Sequence, residues 1–143
     1  MASASDVQRE MITAWNSRDF AKMRGLLDSA YTYTGADGKE VTGPDAGMEI
    51  AQMYARAFPD GKLDIKRTYT QGDVAITEMT ARGTQKGELM GIAPTGRPVE
   101  INICNIIEVR NGKIYREREY MDMMSIMVQI GAAKPPGRSA GAV

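Results

Sequence analysis

Residues 97–131 read RPVEINICNIIEVRNGKIYREREYMDMMSIMVQIG, and their pattern decides the architecture. Isoleucine and valine crowd 99–109, as suits a pleated surface. Asn111-Gly112 is a strong hairpin signal, and 114–121 reads as the return strand. Asp122 is placed to cap a closing helix that Gly131 stops. Side chains alternate along a strand, so Ile101, Ile103, Asn105, Ile107 and Val109 share one face. Asn105 is an amide within an aliphatic row, and a buried amide without partners costs about 1–3 kcal/mol. On the return strand Tyr115, Glu117, Glu119 and Met121 fall on one face. Ile114, Arg116, Arg118 and Tyr120 fall on the other.

Turn length decides which face meets Asn105. A two-residue loop pairs Arg110 with Lys113 and sets Asn105 on the arginine side. A three-residue loop, with Gly112 left-handed, pairs Val109 with Lys113. Asn105 is then opposite Glu117 and diagonal to Glu119. Arg-Asn-Gly favours the second form, because glycine takes positive φ freely. That register predicts an apolar face carrying an amide and two carboxylates, a combination suited to a ligand pocket. The alternation of glutamate with arginine also fits a solvated strand, and under the two-residue loop the glutamates face outward.

Upstream, Ser5 with Gln8 reads as a capping box for a first helix. Its apolar stripe is Val7, Met11, Ala14 and Trp15. Asp19 caps a short second helix carrying Phe20, Met23, Leu26 and Leu27. Residues 31–34 and 40–42 form a small hairpin about Asp37-Gly38. Gly43-Pro44-Asp45 opens a third helix with Met48, Ala51, Tyr54, Ala55 and Phe58 inward. A strand follows at 63–70, with Leu63, Ile65, Arg67 and Tyr69 on one side. On the next, 74–85, Ala75, Thr77, Met79 and Ala81 share a face. The segment 86–96, KGELMGIAPTG, reads as a loop that sets Leu89, Met90 and Ile92 at a cavity rim. Helices first and strands afterwards argue for an α+β fold. The N-terminal helices pack on the concave face of a strongly curved mixed or antiparallel sheet, around a cone-shaped interior. Residues 1–131 make one domain, and 132–143, AAKPPGRSAGAV, read as a disordered tail.

Composition narrows the function. Acidic and basic residues balance at 18 each, so neither nucleic acid nor an anionic membrane surface is an expected partner. No apolar run approaches the ~20 residues that span a bilayer. With no signal-peptide pattern and one cysteine, Cys104, a cytoplasmic location is expected. There is no histidine, which removes the usual general base, the usual triads and the easiest zinc sites. No metal and no cofactor are expected, and acid–base work falls to Asp, Glu, Tyr, Lys or water. Eleven methionines suit either a gap-filling core or an adaptable apolar pocket. Apolar surface on an open sheet predicts a homodimer, with a tetramer as the larger option.

Phe58-Pro59-Asp60, the run 82–97 (RGTQKGELMGIAPTGR), and Asn111-Gly112-Lys113-Ile114 followed by Asp122 and Gln129-Ile130-Gly131 carry a family resemblance. Over residues 6–131 the chain resembles the SnoaL-like polyketide cyclases of the nuclear transport factor 2-like superfamily. The resemblance implies a cone-shaped α+β fold and a cofactor-free aldol cyclase, in which a carboxylate moves a proton on a polyketide-like ligand. Glu119 matches that carboxylate, where the family has aspartate. Asn105 matches a pocket histidine, and Gln85 and Glu117 stand where many members carry histidine.

The candidate catalytic residues are therefore Glu119, Asn105 and Glu117. Burial and a neighbouring carboxylate would raise the pKa of Glu119 and make it a base for a carbon acid. Asn105, with Tyr31 or Tyr33, would serve the enolate oxygen. Candidate substrate-binding residues are Trp15, Tyr31, Tyr33, Tyr54, Met79, Met90, Ile103 and Met121, around a small apolar carbonyl compound. An epoxide-hydrolase-like reaction and a non-catalytic binding or accessory role remain as alternatives.

Overall fold

Asn111 and Gly112 take φ of 51° and 73°. Two successive left-handed residues make a type I′ turn, whose twist matches that of the strands it joins. The loop therefore has two residues, with Arg110 opposite Lys113, and not the three that Gly112 alone suggested. By itself this turn would send the glutamates outward. The return strand corrects it with an extra residue: Val109 pairs with Ile114 but Glu108 pairs with Arg116. Tyr115 is left over as a β-bulge, which shifts every later residue by one position. Glu119 now faces Asn105, and Glu117 faces Ile107. Ile114, expected beside the arginines, is fully buried instead.

The computed structural model describes residues 2–135 and 137. Its elements are α1 (Ala4–Asn16), α2 (Phe20–Gly25), β1 (Leu27–Thr34), β2 (Glu40–Thr42), α3 (Pro44–Ala57), β3 (Lys62–Gln71), β4 (Val74–Thr84), β5 (Pro98–Arg110), β6 (Lys113–Met121) and α4 (Met123–Gln129). The sheet order is β2-β1-β6-β5-β4-β3. Its pairs are antiparallel except β1 with β6, which run parallel. The α+β class with a mixed sheet is as the sequence implied. α1 lies across β3, β4 and β5, α3 packs on β1, and α4 packs on β5. The helices and one face of the sheet thus enclose the interior.

Local chemistry explains most boundaries. α1 starts two residues earlier than expected, on a capping box of Ser3 and Asp6 in place of Ser5 and Gln8. Asp19 and Asp122 cap α2 and α4 through their side chains. Gly43 precedes Pro44 at the start of α3. Gly131, at φ 80°, ends α4, and the amides of Ala132 and Ala133 return to the Met127 carbonyl. The tail expected to be disordered is thus tied down at its first two residues. Residues 136 and 138–143 lie outside those described. β3 carries a second bulge between Ile65 and Arg67, which breaks the expected alternation and turns Thr68, not Arg67, toward Thr77 on β4. No helix among the described residues is long and apolar enough to cross a membrane.

Gly112→Val, at positive φ in the type I′ turn, is expected to destabilise the fold by about 1–2 kcal/mol. Urea unfolding measures it, and an unchanged midpoint would refute the turn assignment.

Candidate active site

The two bulges align one polar rung across four strands. Thr68 pairs with Thr77, Thr77 with Asn105, and Asn105 with Glu119. On one side of the rung lies an apolar cluster that includes Val7, Met11, Ala75, Ile107 and Ile114. On the other lies a second, with Ile12, Met79, Ile101, Ile103 and Ile126. Gln8 of α1 reaches the rung from the helix layer and is 1% exposed.

Each oxygen of the Glu119 carboxylate in the rung, and of the Glu117 carboxylate beside it, accepts one hydrogen bond. Tyr31 Oη donates to Glu117 Oε1 at 2.5 Å, and Tyr33 Oη donates to Glu119 Oε1 at 2.8 Å. The Asn105 amide donates to Glu117 Oε2 at 2.8 Å and to Glu119 Oε2 at 3.1 Å. Its own Oδ1 accepts from Gln8 Nε2 at 2.9 Å. Gln8 Oε1 accepts from Thr77 Oγ1 at 2.6 Å, and Thr77 and Thr68 share a hydroxyl bond of 2.9 Å. Every donor to the two carboxylates is neutral.

That neutrality sets the electrostatics. Burial pushes the Glu117 carboxyl up, against the bonds from Tyr31 and Asn105. Burial and the charge of Glu117 push Glu119 up to about 7, opposed by the bonds from Tyr33 and Asn105. Burial first, and the two glutamates second, push the Tyr31 and Tyr33 phenols far above their ordinary range. They remain donors at any working pH. Tyr54, raised to about 12 by burial and then by Glu119, also stays protonated.

Asn105, Glu117 and Glu119 form the polar floor of a cavity of about 170 Å³, with Gln8, Thr77 and Thr68 behind it and outside its wall. A single water needs only ~10–15 Å³ of comparable space, so this volume is sized for a ligand. Trp15, Tyr31, Tyr33, Tyr54, Met79, Ile103, Met121, Asn105, Glu117 and Glu119 all line it. Met90 does not. It sits at a tight turn, φ 48°, closed by paired bonds between Leu89 and Ile92, and its side chain is 52% exposed. Leu89 is the buried residue of that loop. Gln85 is also absent from the wall. Its amide bonds the carbonyls of Gly87, Ile92 and Ala93 and accepts from Thr95, so it pins the 86–96 loop. Arg82 reaches the cavity mouth but pairs with Asp64 at 2.9 Å. Among the described residues, no group of three His, Cys, Asp or Glu side chains is arranged to hold a metal ion.

Sequence reasoning missed Gln8 and Thr68. Assigning Gln8 to a helix cap hid its position one turn from both Ala4 and Ile12, which are buried. A polar residue in register with a buried stripe was the available signal. Thr68 depends on the Lys66 bulge, which no residue type in β3 announces.

A six-stranded mixed sheet packed on one face by helices is the arrangement of the ketosteroid isomerase-like or nuclear transport factor 2-like fold. A solved protein from Catenulispora acidiphila described as having the ketosteroid isomerase-like fold superposes at a TM-score of 0.76, with 19% identity over 89% of this chain and 93% of its own. The family model for SnoaL-like polyketide cyclases matches residues 5–130, and the chain belongs to that family. It is 24% identical to the aklanonic acid methyl ester cyclase DnrD of Streptomyces peucetius, over 94% of this chain and 95% of that one. It is 27% identical to IdmH of Streptomyces antibioticus, a protein provisionally described as a polyketide cyclase. That match has a TM-score of 0.80 and covers 91% of this chain and 99% of IdmH.

The folded protein holds the Glu119 proton to about pH 7, while an unfolded glutamate releases it near 4.5. Folding stability is therefore expected to fall as pH rises through that window, by on the order of 3 kcal/mol for this group. Glu119→Gln should flatten the fall, as read from thermal midpoints between pH 4.5 and 8. Gly47 leaves room for the Tyr31 ring, which an added Cβ would strike. Gly47→Ala should lower stability by about 1–2 kcal/mol despite alanine's better helix propensity. Urea unfolding decides the sign.

Proposed function

We propose that this chain is a cofactor-free, polyketide-cyclase-like enzyme acting on a small apolar carbonyl compound by carboxylate-mediated proton transfer. The observation that carries the reading is the buried pair Glu117–Glu119, bridged by one amide on the floor of an apolar cavity. A carboxylate near neutrality is a far stronger base than one in water, yet half of it remains ionised at pH 7. Glu119 removes a proton from a carbon flanked by carbonyl groups and becomes the neutral acid. The resulting enolate attacks a second carbonyl in the same molecule, and Glu119 returns its proton to the new alkoxide. Return of the proton to a different carbon gives isomerisation instead.

Charge leaves Glu119 as it builds on the enolate oxygen. Tyr33 Oη, which solvates the carboxylate in the resting site, is then free to follow it, while the Asn105 N–H groups stay turned toward the site. One donor aimed at developing charge is worth about 2.7–4 kcal/mol of barrier. Glu117 stays bound to Tyr31 and keeps the proton affinity of its neighbour raised. Lining side chains such as Met11, Met79, Ile103 and Phe58 exclude water and supply the apolar contact.

The outer face of the sheet carries Tyr69, Ile76, Cys104, Ile106 and Tyr120 on adjacent strands, and Tyr120 is 58% exposed. We propose that a second copy covers this face. Light scattering at micromolar concentration should give a dimer, and a monomer counts against it.

Catalysis is tested with a 1,3-dicarbonyl compound, and with an ester of the aklanonic acid methyl ester type that the relatives' names point to. Proton exchange into D₂O and ring closure are followed by NMR. The rate should rise with pH to a plateau above about 7, because the ionised form of Glu119 is the reactive one. Glu119→Gln should lose about 10²-fold or more. Ligand that raises the thermal midpoint while exchanging no faster than in buffer would leave a binding protein in place of an enzyme.

A further inference from the structure

The amide that bridges the two glutamates is held from behind. Gln8 Nε2 lies 3.0 Å from the Asn105 carbonyl oxygen and 3.5 Å from that of Ala75. Backbone carbonyls only accept, so this end of the Gln8 amide is its NH₂. Its oxygen must then face Thr77, whose hydroxyl donates to it. Thr77 has one proton and has committed it, so Thr68 is the donor in the bond between the two hydroxyls. On the other side the Gln8 NH₂ requires an acceptor, and Asn105 supplies Oδ1. The Asn105 NH₂ is left facing Glu117 and Glu119. Two backbone carbonyls thus fix the direction of the whole chain of bonds.

We infer that Gln8, Thr77 and Thr68 form a positioning relay that locks the Asn105 amide with both N–H groups toward the glutamates through every protonation state. The carboxylates alone would not do this. An ionised pair prefers the NH₂, but a glutamic acid that has taken up a proton would accept a flipped amide by donating its O–H to Oδ1. Gln8 forbids that flip, since it would set two NH₂ groups against each other. The protonated site therefore gains no new partner, and its donors are in place when the proton leaves. The other groups facing the pair are Tyr31 and Tyr33 from β1 and Tyr54 from α3, all neutral donors. The rung residues facing the pair from α1, β4 and β5, namely Gln8, Thr77 and Asn105, carry no charge. The bearing of the relay on catalysis rests on the role proposed for Glu119, but the relay itself is tested without substrate.

The experiment is a ¹³C NMR titration of ligand-free protein labelled at the glutamate δ-carbons, with Glu119→Gln assigning the resonance. Gln8→Met removes the relay at its centre, so it should allow the flip and raise the Glu119 midpoint by about half a pH unit or more. Thr77→Val keeps the shape of the side chain but leaves Gln8 Oε1 without its donor, which loosens Gln8 although the two carbonyls still hold its NH₂; it should raise the midpoint by less. Thr77→Ser, which retains the hydroxyl, should keep the wild-type midpoint. The inference is overturned if Gln8→Met folds with an unchanged midpoint, or if Thr77→Ser shifts as far as Thr77→Val. Should Gln8→Met fail to fold, the threonine pair decides: a midpoint raised in Thr77→Val and not in Thr77→Ser supports the relay, and equal midpoints overturn it. A shifted midpoint with no turnover would sink the enzymatic reading and leave the relay standing. Turnover with unshifted midpoints would do the reverse.

Discussion

Two carboxylates buried among apolar side chains with only neutral partners are the costliest feature of this chain, and much else answers to them. An ion in a low-dielectric interior loses several kcal/mol of solvation. Here no cation offsets that loss. Four neutral hydrogen bonds, two of them from one shared amide, reduce it, and a proton held to near neutrality removes much of the rest. Each of these requires a backbone feature elsewhere. Tyr31 and Tyr33 arrive because β1 runs parallel beside β6. Their rings fit because Gly47 and Gly35 have no side chain to block them. Asn105 is held from behind by Gln8, which α1 carries on its buried face between Ala4 and Ile12.

The same site shows why strain-free alternation was not enough to build it. A regular β5–β6 hairpin on a type I′ turn would have placed arginines on the cavity floor. One inserted residue, Tyr115, exchanges them for glutamates. Another, Lys66, exchanges Arg67 for Thr68 in β3. Bulges are usually noted for bending a sheet. Here they act as frame shifts that select which half of an alternating sequence is inside.

Much of this was legible in the sequence, and the limits have physical causes. The order of helices and strands followed from periodicity and turn residues. Asn105 was conspicuous because an amide in an aliphatic row demands partners. Glu117 and Glu119 were found for a partly mistaken reason. The three-residue loop would have put them inward, and the chain reached the same face through a two-residue loop and a bulge. Turn sequence constrains φ at two positions, whereas a bulge depends on tertiary packing across the sheet and leaves little local trace. Met90 shows the converse failure. Its hydrophobicity suggested a cavity wall, but its position at the tip of a tight turn sends it to solvent. Gln8 was visible as a glutamine, yet only the assembled fold reveals that its helix face meets a polar rung.

The methionines give the cavity a divided character. Met11, Met23, Met48, Met79 and Met121 stand in its wall, where unbranched thioethers change rotamer at little cost. The floor, in contrast, is a closed hydrogen-bond network in which any single replacement orphans a neighbour. Exchanges between methionine and leucine or isoleucine conserve volume and usually cost below about 1.5 kcal/mol. Inheritance can therefore treat the two surfaces differently. A lineage can drift through wall variants, sampling cavities of new outline, while the amide and the two carboxylates of the floor stay where they are. Such a protein is built to change the shape of its cavity more readily than the polar groups it presents there.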